Sequence, residues 1–411
     1  MNKISLMAAM LLVGASATAQ TSVLKDAESA MKSGKAYTEV EKIVKPAFTN
    51  SETSKLAQTY YIPGKAGFKQ YDDALGKKQL GMIQSGSNEA VTMGDALLAG
   101  YGYYLKALPL DSLPDVKGKV KPKYSKEIIS TIEGHYNDFN AMGVEFFNAQ
   151  KYDKAYEAWD IYVTLPSKFE FSKSFKANPD SLTAMTMYNQ ALAAWNMEDY
   201  GKVVNAARNA KNHGYDNKAI YDIGVAAAVN AKDEDALLEF AQQGNKLFGK
   251  EDSQYINQII NYYLTKEQYD AALDFLGKAL VETPDNAQYY ALEGIIYDNK
   301  DDLANAKKAY EKALQLDGDN AFANIYYGRI LAREASNMAD SFDEKTGGNY
   351  ATFKKTKVDP IFEESAKYIE KAIQLDKNQR DTGYKLLDVI YYNLGDDRYN
   401  QLQQRKAEDV D

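Results

Sequence analysis

His135 and His213 are the only imidazoles in this 411-residue chain, and it has no cysteine. Disulfides, Cys-ligated zinc, iron–sulfur clusters, a thiol nucleophile and the two-histidine zinc motif HExxH are therefore excluded together. Gly244-Asn-Lys-Leu-Phe-Gly249-Lys250 has the spacing of a phosphate-binding loop except at its last place, where Glu251 stands instead of Ser or Thr. A carboxylate there repels phosphate and cannot supply the hydroxyl that ligates magnesium, so the segment reads as the end of a helix with Gly249 as a left-handed cap. Asp317-Gly-Asp319-Asn320 runs straight into Ala321-Phe322 and does not continue as a calcium loop. With 58 acids, paired carboxylates carry no signal for acid–base catalysis. No catalytic residue, metal or cofactor is implied. The 32 tyrosines remain, as aromatic platforms or as packing groups.

Against those 58 acids stand 49 Lys and Arg, for a net charge of -9, and such a balance offers no basic field for nucleic acid. Charged residues at 26% and apolar ones at 45% describe a globular chain with ample core material. At the N-terminus, Lys3, the apolar run Leu6–Val13 and the small residues Ala17-Thr18-Ala19 form the three parts of a cleavable secretory leader over residues 1–19, with Gln20 as the mature end. That run is far short of the roughly 20 residues that span a bilayer, and no later one approaches this length. A periplasmic or secreted protein without a transmembrane segment is expected. No cysteine follows the leader to carry a lipid.

The body of the chain repeats. Glu311-Lys-Ala-Leu-Gln-Leu-Asp317 returns as Glu370-Lys-Ala-Ile-Gln-Leu-Asp376, and Gly277-Lys-Ala-Leu280 precedes Lys312-Ala313-Leu314 in register. Tyr263 and Tyr297, Ala272 and Ala306, and Gly294 and Gly328 keep the same interval of about 34 residues. Tyr290-x-x-Glu293-Gly294-x-x-Tyr297 followed by Ala306-x-x-x-Tyr310-x-x-Ala313 resembles the tetratricopeptide repeat, with Glu293 where that motif has Leu and Gly318 where Pro is usual. Phe139-x-x-x-Gly143-x-x-Phe146 with Ala155-x-x-x-Trp159 is a second match. Looser units keep Ala191, Gly224, Ala236 and Phe240, and Tyr384-x-x-Leu387-x-x-x-Tyr391 opens the last.

The resemblance implies an all-α solenoid of helical hairpins, seven of them between Phe139 and the end. Small residues on the first helix would let the second approach at Ala272 or Ala306, with aromatics filling gaps between hairpins. A helical segment at 20–108, with helices at Val23–Ser33, Ala36–Phe48, about Lys55–Met82 and Asn88–Leu108, would precede the array. Tyr60-x-x-x-Gly64 suggests diverged repeats there. The Pro- and Lys-rich linker 109–123 is the best internal boundary; the array then fills 124–411, with an insertion at about 335–360.

For function the resemblance implies a non-enzymatic scaffold of the bacterial envelope that binds a protein or peptide on the concave face of the first helices. A glycan-binding or glycan-uptake accessory is the alternative that the aromatic content allows, and an enzyme with a concealed hydroxyl or carboxylate site is a third class. In the family register the groove receives Asn140, Asn148, Asn196, Asn230, Asn257, Asn261, Asn299 and Asn393, with Arg329, Arg333 and Lys385 towards the C-terminus. Asparagine can donate to and accept from an extended backbone, and the cations could hold a carboxylate. Five of these asparagines (148, 196, 230, 299, 393) stand where a first helix ends, and helix-end chemistry competes for them. Asn257, Asn261 and Arg329 lie mid-helix, where Asn gains nothing locally. Asp111-Ser112-Leu113 and Asp180-Ser181-Leu182 resemble an O-glycosylation sequon of some Gram-negative secreted proteins, which would place glycans on Ser112 and Ser181 in exposed loops. The competing account of the second is a helix cap.

Overall fold

The computed structural model describes residues 22–114, 118–249, 251–343, 348–395 and 397–408. The leader read at 1–19 lies outside them. Two compact units meet in sequence at Phe240/Ala241. The first opens with α1 (22–32), α2 (Tyr37–Val44), α3 (Ala57–Gln79), α4 (Asn88–Asp111) and α5 (Ser125–Gly134). Hairpins follow: α6 (Tyr136–Asn148) with α7 (Tyr152–Lys168), α8 (Asp180–Asn196) with α9 (Tyr200–Asn212), and α10 (Lys218–Ala231) with α11 (Glu234–Phe248), in which the division falls. The second unit continues with α12 (Gln254–Thr265) and α13 (Tyr269–Glu282), then α14 (Ala287–Asn299) and α15 (Leu303–Leu316). After them come α16 (Ala321–Asp340) with α17 (Asp359–Leu375), and α18 (Arg380–Leu394) with α19 (Arg398–Glu408). Every regular element among the described residues is helical, and they form the seven expected pairs from α6 onward.

Three of these hairpins, and the α3/α4 pair, close on a glycine facing an aromatic ring. A Cβ built on Gly294 of α14 would lie 2.5 Å from Cε1 of Tyr310 on α15, and one on Gly224 would lie 2.5 Å from Cδ1 of Phe240. Gly143 meets the Trp159 indole in the same way, and Gly64 meets Tyr104 across α3 and α4. The rings therefore fill the space inside a hairpin, against its glycine. Rings also fill gaps between pairs, as expected, with Tyr255 of α12 against Gly244 of α11 and Phe146 of α6 against Gly94 of α4; what differs is that the side chain nearest Gly294 is Tyr310, not Ala306. Ala306 is buried in a cluster with Tyr310, Tyr327 and Leu331. The α3/α4 pair approaches more closely still, since a Cβ on Gly67 would be 2.8 Å from the Gly100 backbone. In the first unit a single core runs from Leu24 to Ala193, so the N-terminal helices and the first hairpins share one hydrophobic interior.

First helices end alike. Gln150, Glu198, Lys232, Glu267 and Asp301 hold φ between 55° and 62°, and Gly395 has φ 70° at the matching place. After each of the five non-glycine residues the chain closes a paired turn: Asp302 N–H donates to Tyr297 O and Asp301 N–H to Asp298 O, with equivalents at Asp233 and Gln268. Asp199, Asp233 and Asp302 then cap the second helix through Lys202, Ala236 and Asn305 N–H.

Several boundaries differ from expectation. Helix α4 continues through Pro109, in its last turn, to Asp111. The 109–123 segment does not separate the compact units. Asp111 accepts from Lys123, Tyr124 and Ser125 N–H and from Ser125 Oγ at 2.7–3.0 Å, tying the far end of the segment to α4 and starting α5. The 335–360 insertion is helical at both roots, with α16 reaching Asp340 and a π turn at Lys354–Val358 leading into α17. Gly249 has no left-handed φ; a Cβ there would collide with Asn245, so close contact and not cap geometry explains the glycine.

Gly294→Ala should lower stability by about 1–3 kcal/mol through overpacking against Tyr310. Gly277→Ala, which meets only open space on α13, should raise it by about 1 kcal/mol from helix propensity. Thermal melts of the two variants compare these directly. A second expectation concerns pH. Burial pushes the Asp111 carboxyl up, but the Ser125 hydroxyl and three backbone N–H donors overcome this and hold it below its ordinary value. Stability from this clamp is thus complete above the ordinary Asp range near 3.9 and is lost as pH falls below it. Melting temperatures measured from pH 6 to pH 3 should fall less steeply in Asp111→Asn than in the parent.

Candidate functional site

The helix-end asparagines are engaged with their own helices. Asn196, Asn230, Asn299 and Asn393 each donate Nδ2 to the carbonyl four residues earlier, at 2.7–2.9 Å. Asn148 donates instead to Ser85 Oγ, and Asn140 accepts from Trp159 Nε1 through its carbonyl. Helix-end chemistry accounts for four of the five competing positions. Mid-helix, Asn261 is exposed on α12, whereas Asn257 has a buried Oδ1 with no hydrogen-bond partner. A buried acceptor left unpaired costs about 1–3 kcal/mol, so Asn257 is tolerated against its own local energetics.

The basic group is not free to meet a ligand carboxylate as a bare cation pair. Arg329 pairs with Asp298, a side chain only 8% exposed, and lies over the Tyr326 ring with 4.6 Å from guanidinium carbon to ring centre. Arg333 reaches Asp298 at 3.4 Å and also pairs with Asp301. Lys385 pairs with Asp381 one turn earlier on α18, both well exposed. Asp298, Asn299, Arg329, Ile330 and Arg333 line a cavity of about 310 Å³ between α14 and α16. Three predicted residues therefore share one site, around a buried acid that the motif gives no reason to notice. Asn257 and Asn261 are on α12, with α14 packed between it and α16. On α14, burial pushes the Glu293 carboxyl above its ordinary range at the place where the repeat has leucine.

In the first unit a smaller cavity of about 160 Å³ opens between α6 and α8, lined by Val144, Phe147, Trp159, Asn189 and Leu192. Of these, Trp159 stands at a motif place, and the other four were not singled out by motif or charge. Among those four the available signal was Val144, an aliphatic residue on the outward side of a first helix and 44% exposed. Many tyrosines are core: Tyr71, Tyr104, Tyr162, Tyr255, Tyr310 and Tyr391 are among the largest fully buried side chains. His135 lies between Thr131 O and Asp72 Oδ1, and His213 contacts Asn209 O at a helix end. Among the described residues no group of three or more His, Asp or Glu could hold a metal ion. Ser112 is the exposed C-cap of α4, its Oγ donating to Leu108 O. Ser181 is exposed in the first turn of α8, not in a loop, and no side chain caps that helix.

A family model for the tetratricopeptide repeat matches residues 287–320, which are α14, α15 and the turns that bound them. The chain carries tetratricopeptide repeats. Such repeats are generally protein-interaction scaffolds. Similar proteins include the BBSome complex member BBS4 of Bos taurus, 38% identical over 69 residues, or 17% of this chain and 13% of that protein. Another is the uncharacterized protein ycf37 of Guillardia theta, 28% identical over 138 residues, covering 32% of this chain and 77% of that one. The match thus spans only a small part of the BBSome protein's length. Among solved structures, a TPR repeats protein from Bacteroides fragilis is 18% identical with a TM-score of 0.34, covering 62% of this chain and 98% of its own. YrrB, a TPR protein with an unusual peptide-binding site, is 17% identical with a TM-score of 0.31, covering 49% and 95%. No helix among the described residues is long and apolar enough to cross a membrane.

Replacing Arg329 by Ala should lower stability by about 1–3 kcal/mol, because Asp298 keeps a buried charge with a weaker partner set. Adding Asp298→Ala should recover part of the loss, and a double-mutant cycle by chemical denaturation measures the coupling.

Proposed function

We propose that the chain is a non-enzymatic scaffold exported to a bacterial cell envelope, where it holds a protein or peptide on the concave face of its first helices. The observation that carries this reading is that each compact unit opens a cavity between successive first helices, α6 and α8 in one and α14 and α16 in the other. At α6 and α14 the second helix packs against the first through a glycine contact, which leaves the other side available for a partner. In the second unit the partner meets guanidinium groups already oriented by Asp298. A planar group that shares their remaining N–H donors suits them better than a point charge. Export rests on the leader at 1–19, and Ser112 and Ser181 are both exposed as glycan attachment requires. The tyrosines that first suggested a glycan platform are largely packing groups, which favours the peptide reading over a glycan-binding accessory.

Crosslinking capture from the envelope fraction of the source bacterium, with the chain as bait, should yield a protein partner; reproducible capture of none would end the scaffold reading. Intact mass of the same preparation should correspond to a chain starting at Gln20. Additional mass confined to peptides containing Ser112 and Ser181 would bear out glycosylation, and the bare polypeptide mass would dispose of it.

A further inference from the structure

We infer that the cavity between α6 and α8 is a socket for one large apolar side chain, of leucine, methionine or phenylalanine size, carried by an uncharged peptide segment of a partner protein. The inference rests on the scaffold reading and specifies where the first unit takes its ligand. Size comes first. The cavity measures about 160 Å³, and an apolar cavity of about 150 Å³ accepts a benzene ring. Its walls are Val144, Phe147, Trp159 and Leu192, and its only polar group is the Asn189 amide. One wall is held in place: the Trp159 indole is 2% exposed, donates Nε1 to Asn140 O at 3.2 Å, and rests against Gly143 with no room for a Cβ between them. A site held in this way binds without first having to be ordered.

Charge argues for the occupant. More than a quarter of this chain is charged, and the exposed face of a helix is where such residues ordinarily go. The outward side of α6 nevertheless carries Ala141 and Val144, and that of α8 carries Met185 and Asn189, all uncharged. The acid Glu145 of α6 is turned away and held by Lys78, Ser85 and Gly86. Val144 and Met185 are 44% and 45% exposed. A charged partner segment would lose hydration here and find no counter-charge, whereas an uncharged one loses little. Asn189 makes no side-chain hydrogen bond within the described residues. Lying mid-helix at the cavity rim, it can both donate to and accept from the backbone of an extended peptide whose side chain enters the socket. A neutral sugar would need an exposed aromatic face, which the buried Trp159 does not offer.

The test is selection of random dodecapeptides displayed on phage against the full chain, followed by titration of a synthetic selected peptide. The selected sequences should share one large apolar residue within an uncharged stretch. The chain has two tryptophans, so two indole N–H resonances report the outcome. That of Trp159 should move on titration, and that of Trp195 should stay. Val144→Glu, at an exposed position, should weaken binding at least about tenfold with an unchanged melting temperature; Asn189→Asp, nearly isosteric, should do the same. Selected peptides that bind both variants as tightly as the parent would overturn the socket while leaving the scaffold reading intact. Failure to select any peptide would overturn it as well, and a Trp159 shift caused by maltoheptaose alone would reassign the cavity to a neutral glycan.

Discussion

A glycine on one helix pressed against an aromatic ring on the next is the contact on which three of the hairpins depend. At Gly143, Gly224 and Gly294 the ring occupies the volume that any side chain would need, so the two helices lie at one fixed separation. Fixed separation within pairs then sets where the first helices can lie beside one another. Both cavities open between first helices, each beside one hairpin closed in this way. The hairpin interrupted by the long insertion uses another device. Gly328 faces Ile369 instead of a ring, and the buried Ser365 hydroxyl donates to Gly328 O at 2.6 Å. A hydrogen bond with no water to compete for it takes over part of the positioning that the ring provides elsewhere.

The helix ends supply a second constraint. Each residue that takes positive φ after a first helix reverses the chain within a few residues, and the aspartates that follow start the return helix. Most of these left-handed residues are charged and exposed, so their cost in backbone strain, about 1 kcal/mol or somewhat more each, is met by the paired turn hydrogen bonds around them. At Asn196, Asn230, Asn299 and Asn393 an asparagine two positions earlier adds a bond back to its own helix.

Much of the fold was legible because the repeat is written in small and aromatic residues at fixed intervals. Gly143, Gly224, Gly294, Trp159, Phe240 and Tyr310 all stand at motif places, and the helices between them follow. What the motif could not convey is which side of the hairpin a ring occupies, since spacing does not say whether Tyr310 packs inward on Gly294 or outward on a neighbour. The division at Phe240/Ala241 was equally hidden, because it falls within a continuous helix and not at a proline-rich segment. At the candidate sites, Arg329 and Arg333 drew notice as cations on an acidic chain, but their neutralising partner Asp298 lies on another helix, and only the fold brings the three together. The α6/α8 cavity was silent for a different reason: Val144, Asn189 and Leu192 are ordinary residues whose significance is that nothing covers them.

The insertion between α16 and α17 is tied at both roots. Lys354 pairs with Asp359 at 2.6 Å, Val358 is buried, and Phe342 stacks near Phe353 with 4.8 Å between ring centres. Once the roots are held, the entropy of closing the loop grows only with the logarithm of its length, by about 0.6 kcal/mol for each doubling. Chain can therefore be added or removed between these anchors with little penalty to the hairpin beneath. Over evolutionary time this is a point where new sequence can accumulate without disturbing the helices on either side, and in the laboratory it is a natural place to splice in a reporter.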